Sequence, residues 1–191
     1  MASPPITLLA VTISVRTRGQ LPHWNKPGAD YFITFRTADS ISPESIAALR
    51  LSPYTPDEKR RHIEAALDQC HRGDILWGAV AETVASSIIY GARRDYILHA
   101  WCVMPNHVHL LLRPTHGRLL TAVMRVLKSV TAHNVNRLLG TSGPVWQREY
   151  FDRVVRPGKF AAVRDYILRN PERANLSNWE WVGSTLPEQQ G

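Results

Sequence analysis

The sequence has little cysteine and no long hydrophobic run, and both shortages narrow the classes of protein it can encode. The two cysteines, Cys70 and Cys102, form no Cys-x-x-Cys pair. This argues against a disulfide framework or structural zinc knuckle and favours a reducing compartment. The apolar run at residues 6–15 is too short to span a bilayer, and its positive charges, Arg16 and Arg18, follow it. We therefore expect a cytoplasmic protein with no membrane partner.

Acidic residues are absent from the middle of the chain. Between Tyr96 and Arg148 there is no Asp or Glu, whereas basic side chains recur throughout. The whole chain has a formal charge of +7 and a sequence pI of about 9.8. A basic stretch without carboxylates is suited to approach phosphates, so the charge pattern favours a nucleic-acid partner. Some proteins are merely soluble and basic, so charge alone does not decide the function.

No internal repeat or low-complexity segment divides the chain. With 44% hydrophobic residues, 191 residues fit one core better than two. Prolines near the start predict an extended lead-in at residues 1–28. We place the main domain at residues 29–176 and a C-terminal tail at residues 177–191, whose tryptophans pack back onto the body.

The order of predicted elements indicates an α+β fold. Strand-like composition, Ser/Thr-Pro helix starts and helical periodicity alternate along the chain. Strands are predicted at residues 31–37, 96–104, 107–113 and 145–156, and helices at residues 42–49, 55–70, 75–90, 118–139 and 159–169. This order predicts an antiparallel sheet with helices laid mainly on one side.

The sequence CVMPNHVHLLL at residues 102–112 predicts a hairpin with two histidines on one strand face. Pro105-Asn106 favours a tight turn between the two apolar runs. Because side chains alternate along a strand, His107 and His109 project opposite to Val108. The pair is suited to bind a metal, but by itself the pattern favours the more ordinary interpretation, a solvated or hydrogen-bonded pair of histidines on a sheet face.

A second group of polar residues lies in the last long predicted helix. Tyr166 and Asn170 are four residues apart, so the phenol and the amide share one helical face. Val163 and Ile167 form an apolar strip that would dock this helix onto the sheet. If the polar face covers the histidines, three polar ligands and a nucleophile meet. Alternatively, Asn170 before Pro171 caps a new helix, and Tyr166 is a boundary aromatic with a solvated hydroxyl.

Three blocks of the sequence resemble a known family. Residues 96–112, 145–153 and 165–171 are similar, in order and spacing, to the HUH single-strand DNA transposases, and most of all to the REP-associated tyrosine transposases. The similarity extends over most of the chain, from about residue 31 to residue 176. The resemblance implies a ferredoxin-like antiparallel sheet with helices mainly on one face, the HUH nuclease core. It also implies an enzyme that nicks and joins DNA at hairpin-forming repeats.

The resemblance also implies roles for individual residues. His107 and His109 would bind a divalent metal, Asn170 would take the place of the polar third ligand, and Tyr166 would be the nucleophile. Two imidazoles and one amide oxygen leave coordination positions open for phosphate and water, consistent with Mg²⁺ or Mn²⁺. The product would be a 5′-phosphotyrosine link and a free 3′-hydroxyl. Tyr150 competes for the nucleophile role, although its strand-like surroundings favour packing.

Basic and aromatic residues are candidates for holding DNA. Arginine and lysine would contact phosphates, and an aromatic ring could stack on an unpaired base. The candidates are Arg113, Arg125, Lys128, Trp146, Arg148 and Arg153. Arg125 and Lys128 share a helix face, which could equally be an ordinary solvated face.

The sequence leaves alternatives open for function and assembly. The expected partner is single-stranded or hairpin DNA, which would make the protein nucleoid-associated. A non-catalytic nucleic-acid-binding domain with incidental histidines is an alternative, as is a relaxase or replication initiator with the same metal and tyrosine chemistry. A monomer and a homodimer are both compatible with the sequence.

Overall fold

A computed structural model describes residues 14–17, 22–69 and 72–185. Cys70, at the end of a predicted helix, and most of the N-terminal apolar run lie outside these residues. The described elements are β1 (Ser14–Thr17), β2 (Pro22–Asn25), β3 (Tyr31–Arg36), α1 (Pro43–Leu51), α2 (Pro56–Gln69), α3 (Gly78–Gly91), β4 (Tyr96–Val103), β5 (His107–Pro114), α4 (Leu120–Leu139), β6 (Phe151–Val154), α5 (Phe160–Leu168), α6 (Asn170–Arg173) and β7 (Val182–Ser184).

Five strands form one antiparallel sheet in the order β6-β3-β5-β4-β7, and β1 and β2 form a separate two-stranded sheet. If β3, β4, β5 and β6 are numbered one to four, their spatial order is 4-1-3-2. With helices between β3 and β4 and between β5 and β6, this is the ferredoxin-like arrangement. The predicted α+β fold class is therefore confirmed.

The larger core lies on one face of the sheet, under α3 and α4. Alternation along β3 and β5 directs Ile33, Phe35, Val108 and Leu110 to this face, where they are buried. Apolar residues of both helices at helical spacing cover them. This burial is the main hydrophobic stabilisation of the fold, because burying apolar surface contributes about 25 cal/mol per Å².

The opposite face carries a smaller core and the two histidines. Val163 and Ile167 of α5 pack onto Phe32 of β3 and Leu111 of β5, as the predicted apolar strip requires. The end of α2 is also tied to this part of the molecule, because Asn106 Nδ2 donates to the carbonyl of Leu67 at 3.1 Å.

The predicted helix starts at Ser42 and Thr55 are confirmed by their capping bonds. The hydroxyl of Ser42 accepts from the backbone N–H of Ser45 at 3.1 Å. Thr55 and Glu58 form a reciprocal capping box, in which Thr55 N–H donates to the Glu58 carboxylate at 2.8 Å and Glu58 N–H donates to the Thr55 hydroxyl at 3.3 Å. These bonds satisfy backbone donors that a helix N-terminus otherwise leaves unpaired.

The predicted strand at residues 145–156 is longer than the observed strand, β6, which begins at Phe151. The preceding segment makes only an isolated bridge, from Trp146 to Thr37. Its backbone is bound elsewhere, since Lys128 Nζ donates to carbonyl oxygens in this segment. Within the described part of the chain, no helix is both long and apolar enough to cross a bilayer.

Candidate active site

Strand β5 places the two histidines side by side beneath α5. The Nε2 atoms of His107 and His109 are 3.1 Å apart, and both residues are 1% exposed. Burial lowers the pKa of His107 to about 3. The pKa of His109 is held well below its ordinary range by burial and by the neighbouring positive charges. Both imidazoles are therefore neutral at neutral pH, which is the form that binds metals.

The other ring nitrogen of each histidine is held by a polar side chain. Asn106 Oδ1 accepts from His107 Nδ1 at 2.7 Å, and the orientation of this amide is fixed because its Nδ2 donates to the Leu67 carbonyl. With the proton on Nδ1, Nε2 of His107 carries a free lone pair. Thr34 Oγ1 lies 2.8 Å from His109 Nδ1, and its hydroxyl can donate to or accept from this nitrogen, whichever tautomer the imidazole adopts. Asn106 in the turn and Thr34 in β3 thus orient the two rings through their Nδ1 atoms.

Helix α5 brings Tyr166 to the histidines. Its ring meets the ring of His109 edge-on, with 5.6 Å between the centroids, and also contacts Phe32 edge-on at 5.8 Å. Phe32 in turn stacks on His109 at 5.5 Å. The structure therefore brings Phe32, His109 and Tyr166 into mutual contact, although they lie on three segments that are distant in the sequence.

Asn170 lies one helical turn further along the chain and is completely buried, at 0% exposure. Neither its Oδ1 nor its Nδ2 has a hydrogen-bond partner among the described residues. The N-cap position of α6 is occupied by Arg169, and Asn170 is already the first residue of the helix, so the alternative in which Asn170 caps a new helix is wrong. Leaving a buried polar group unpaired costs about 1–3 kcal/mol, and a water molecule or a bound ligand can pair with it.

Charged residues that the sequence analysis missed surround the phenol. The pKa of Tyr166 is raised to about 12, first by burial and then by the carboxylates of Glu64 and Asp68, against the opposing effect of Arg173 and Arg60. The Arg173 guanidinium lies 5.0 Å from the centre of the Tyr166 ring. Burial also raises the pKa of Asp68 to about 6. Ionisation of the Tyr166 phenol is therefore strongly unfavourable unless a further positive charge is bound beside it.

The donor set fits a divalent cation. Among the described residues, no group of three or more His, Cys, Asp or Glu side chains is arranged to hold a metal. The predicted set instead includes an amide, and the convergent imidazole nitrogens and the unpaired Asn170 oxygen are donors that Mn²⁺ and Mg²⁺ accept. His107, His109 and Asn170 are therefore the residues that could hold it.

Among the predicted DNA contacts, Arg153 lies beside the aromatic ring that links His109 and Tyr166. Its guanidinium is 5.8 Å from the centre of the Phe32 ring, which contacts both His109 and Tyr166. Arg113 lies four residues along β5 from His109, roughly 13 Å away, and its guanidinium binds Asp30 at 2.7 and 2.9 Å. Two others, Arg125 and Arg148, are exposed.

Lys128 and Trp146 are engaged within the protein instead. The Lys128 ammonium donates to the carbonyls of Gln147 and Arg148 at 2.7 and 2.8 Å, and burial lowers its pKa to about 8. Trp146 is buried, and its Nε1 donates to Thr131 Oγ1 at 2.8 Å. The structure does not bring either residue to the histidines.

Tyr150, the competing tyrosine, lies in the core cluster on the α4 face of the sheet. It is buried beside Lys128, whose ammonium lies 5.7 Å from the centre of its ring. Burial and neighbouring carboxylates raise its pKa well above the ordinary range of tyrosine. Of the two tyrosines, only Tyr166 contacts a histidine of the pair.

Comparison with known proteins identifies relatives by sequence profile and by fold. The family described as "Transposase IS200 like" matches residues 64–170, more than half of the chain. A solved REP-associated tyrosine transposase bound to a REP hairpin is similar with a TM-score of 0.54 and 16% identity, over 86% of this chain and 81% of that chain. A protein from Deinococcus radiodurans R1, provisionally assigned as a transposase, has a TM-score of 0.45 and 18% identity, over 81% and 98%. No curated protein matches the sequence.

Proposed function

The chain belongs to the IS200-like transposase family, and from this premise we propose that it is a metal-dependent endonuclease and strand transferase for single-stranded DNA. Tyr166 is the nucleophile, and His107, His109 and Asn170 hold Mg²⁺ or Mn²⁺. The observation that carries the proposal is the meeting of two convergent imidazole nitrogens with the Tyr166 ring in one buried place. The unpaired amide of Asn170 supports the same assignment.

The reaction exchanges one phosphodiester bond for another. The Tyr166 phenol oxygen bonds to the scissile phosphorus, and the bond from phosphorus to the 3′ oxygen of the preceding nucleotide breaks. The phenol loses its proton, and the departing 3′ oxygen gains one. The products are a 5′-phosphotyrosine link and a free 3′-hydroxyl, so the bond energy is conserved and a strand can be rejoined without an external energy source.

The surroundings of Tyr166 explain why the chemistry needs a cation. A phenol with a pKa near 12 is almost fully protonated at neutral pH. When bound, a divalent ion supplies positive charge that stabilises developing negative charge on the phenol and the phosphate. Arg173, over the phenol ring, contributes a fixed positive charge in the same place. Asn106 and Thr34 hold the imidazoles with their Nε2 atoms toward the site.

Hairpin-forming repeats are the substrate class that we infer. The structurally similar REP-associated transposase is bound to a REP hairpin, and a folded repeat presents a single strand beside a duplex. Exposed arginines near the site, Arg153 foremost, would hold the backbone of the single strand, because such sites combine positive charge with aromatic surfaces.

The decisive experiment tests for a covalent adduct. The full chain is incubated with Mn²⁺ and a pool of 3′-labelled single-stranded oligonucleotides that contain hairpins with randomised flanks, and the label is followed on a denaturing protein gel. We expect a labelled adduct with wild type and with Tyr150→Phe, and none with Tyr166→Phe or with EDTA. An adduct in Tyr166→Phe would refute the nucleophile assignment.

The same experiment separates the alternative function. A non-catalytic nucleic-acid-binding domain would bind the pool without metal and would form no adduct. Its His107→Ala variant would bind the DNA as well as wild type. Salt-dependent binding alone would not distinguish the two, since phosphate contacts give it in either case. Wild type that binds the pool yet forms no adduct with Mn²⁺ would therefore favour the binding domain.

A further inference from the structure

Helix α2 directs an acidic side chain at the histidine pair. We propose that Asp68 is a further ligand of the metal held by His107 and His109, so that the site includes one anionic oxygen. This inference rests on the proposed function, because it concerns the same metal.

The distances at the site fit a single ion. Asp68 Oδ1 lies 3.8 Å from His107 Nε2, which lies 3.1 Å from His109 Nε2. In an octahedral site with bonds of roughly 2.1 Å, neighbouring donors are about 3 Å apart and opposite donors about 4.2 Å apart. The two imidazoles have the separation of neighbouring donors, whereas the separation of Asp68 from His107 lies between the neighbouring and the opposite value. The three side chains therefore do not yet form a closed metal site among the described residues, and Asp68 would close onto the ion when it binds.

The carboxylate has an unsatisfied oxygen where a cation would bind. Asp68 Oδ1 is inaccessible to solvent and has no hydrogen-bond partner in the described part of the chain, while the side chain as a whole is 18% exposed. Burying a charged oxygen without a partner is unfavourable, and coordination of a metal is one of the ways proteins compensate for it. Asp68 and Asn170 are thus two unpaired groups, one on α2 and one at the start of α6.

The position of Asp68 is fixed relative to His107. The adjacent residue, Leu67, is buried, and its carbonyl accepts from Asn106 Nδ2, whose oxygen accepts from His107. Both oxygens of Glu64, the other acid of this part of α2, accept from Arg60 Nη1 at 2.8 Å, whereas Asp68 Oδ1 has no such partner among the described residues. Asp68 is therefore the carboxylate placed to act on the histidines.

A carboxylate changes the electrostatics of the site. Two neutral imidazoles and an amide leave the full charge of a divalent ion uncompensated in a buried place. One carboxylate halves that charge and adds the hard oxygen donor that Mg²⁺ and Mn²⁺ favour over nitrogen. Asp68 would therefore strengthen binding of these ions more than a third neutral donor could.

Direct measurement of Mn²⁺ binding to the metal-free full chain tests the proposal. Free Mn²⁺ is titrated by its electron paramagnetic resonance signal against wild type, Asp68→Asn and Asp57→Asn. Asp57 is the matched control, since it lies on the same helix with a side chain that is 79% exposed. We expect Asp68→Asn to bind at least about tenfold more weakly, the loss typical when a site's ligand support is removed, and Asp57→Asn to bind like wild type. Equal affinity of Asp68→Asn and wild type would overturn the proposal.

Thermal unfolding separates a ligand from a merely structural residue. Without metal, Asp68→Asn should be at least as stable as wild type, because a neutral amide is easier to bury than a carboxylate. With Mn²⁺, the gain in melting temperature should be smaller for Asp68→Asn than for wild type. A metal-free melting temperature far below that of wild type would assign Asp68 a structural role and contradict the proposal.

The failure of this inference differs from the failure of the proposed function. If wild type binds no Mn²⁺, or if His107→Ala binds it as well as wild type, the metal site itself is refuted. If wild type binds Mn²⁺ through His107 and Asp68→Asn binds it equally, only the role of Asp68 is refuted.

Discussion

The side-chain oxygen of Asn106 lies 2.7 Å from Nδ1 of His107 and fixes the ring with its other nitrogen toward the site. Asn106 is part of the turn that joins β4 to β5, and its amide also binds the end of α2. One turn residue therefore sets both the orientation of a proposed metal ligand and the position of the helix beside it. Thr34, on the neighbouring strand, contacts Nδ1 of His109 and so orients the second ring.

Thr34→Val should weaken metal binding without unfolding the protein. The hydroxyl is buried against His109 Nδ1, and valine has nearly the same shape without a polar atom. Loss of a partner behind a ligating histidine typically reduces metal affinity by about 10- to 100-fold. Mn²⁺ titration measures the effect, and Thr34→Ser, which keeps the hydroxyl, is the control. Unchanged affinity in the valine variant would show that Thr34 does not orient the ligand.

Arg173→Gln should slow formation of the tyrosine adduct. The guanidinium lies over the Tyr166 ring and opposes the rise of the phenol pKa. Its removal raises that pKa further, so at any given pH less of the phenol can act as an anion, and the pH–rate curve moves to higher pH. One pKa unit corresponds to a rate change on the order of tenfold. Single-turnover adduct formation from pH 6 to pH 9 measures it, with Arg169→Gln, an exposed neighbour, as the control. Coincident pH–rate curves for wild type and Arg173→Gln would contradict this role.

Arg153→Gln should weaken binding of single-stranded DNA more than Arg125→Gln. Arg153 lies beside Phe32 on the face that carries the histidines, whereas Arg125 is an exposed residue of α4, which covers the other face. Each phosphate contact on single-stranded DNA contributes about 0.7 to the slope of log affinity against log salt. We therefore expect the slope to decrease by about 0.7 in Arg153→Gln only, as measured by fluorescence anisotropy over a range of salt concentrations. An equal decrease in both variants would place the DNA elsewhere.

Gly73→Ala should destabilise the support of the histidine turn. Gly73 has a positive φ of 67°, and an added Cβ would lie 2.6 Å from Thr37 Oγ1 and 2.7 Å from the backbone nitrogen of Ser40. Thr37 Oγ1 bonds to the carbonyls of Gly73 and Asn106, so the strain reaches the turn. We expect a loss of about 1–3 kcal/mol in the free energy of unfolding. Urea denaturation measures it against Gly158→Ala, which has a similar φ of 74° but open space around the Cβ. Equal losses in the two variants would mean that backbone conformation, and not the contact, determines the effect.

Local patterns predict those parts of the fold and site that depend on one element at a time. Alternation along β5 is enough to place His107 and His109 on one face, and i, i+4 spacing is enough to pair Tyr166 with the turn that holds Asn170. The helix starts at Ser42 and Thr55 follow from capping chemistry within four residues. In each case the deciding interactions lie within one strand or one helical turn.

Features that depend on packing between distant elements are not visible in those patterns. Asp68 reads as one more polar residue of a charged helix, and only the docking of α2 against the turn directs it at His107. The sequence predicts Lys128 and Trp146 as DNA contacts, yet long-range contacts bind both within the protein. Burial of a lysine or a tryptophan is decided by its distant neighbours, which the local sequence does not specify.

Burial of His107 should make the metal-free protein sensitive to acid. Its pKa is about 3 in the folded chain and about 6.5 when unfolded, so between these values the unfolded chain binds more protons. The free energy of unfolding should therefore fall as the pH falls from about 6.5 toward 3, by up to about 1.4 kcal/mol per pH unit from this residue. His109, whose pKa is lowered in the same direction, adds to the fall. Asp68 opposes it between about pH 6 and pH 4, because its raised pKa makes the folded chain the better proton acceptor there.

The contribution of His107 can be isolated from this sum by comparing slopes. His107→Gln removes one buried imidazole, so its free energy of unfolding should depend less steeply on pH between 4 and 6.5 than that of wild type, whatever the absolute stability of the variant. Urea denaturation at each pH in the presence of EDTA measures the slope, and His116→Gln, at an exposed histidine, is the control. Parallel curves for wild type and His107→Gln would mean that the imidazole takes up its proton in the folded chain as readily as in the unfolded one. It would then not be the neutral, buried donor that the metal site requires.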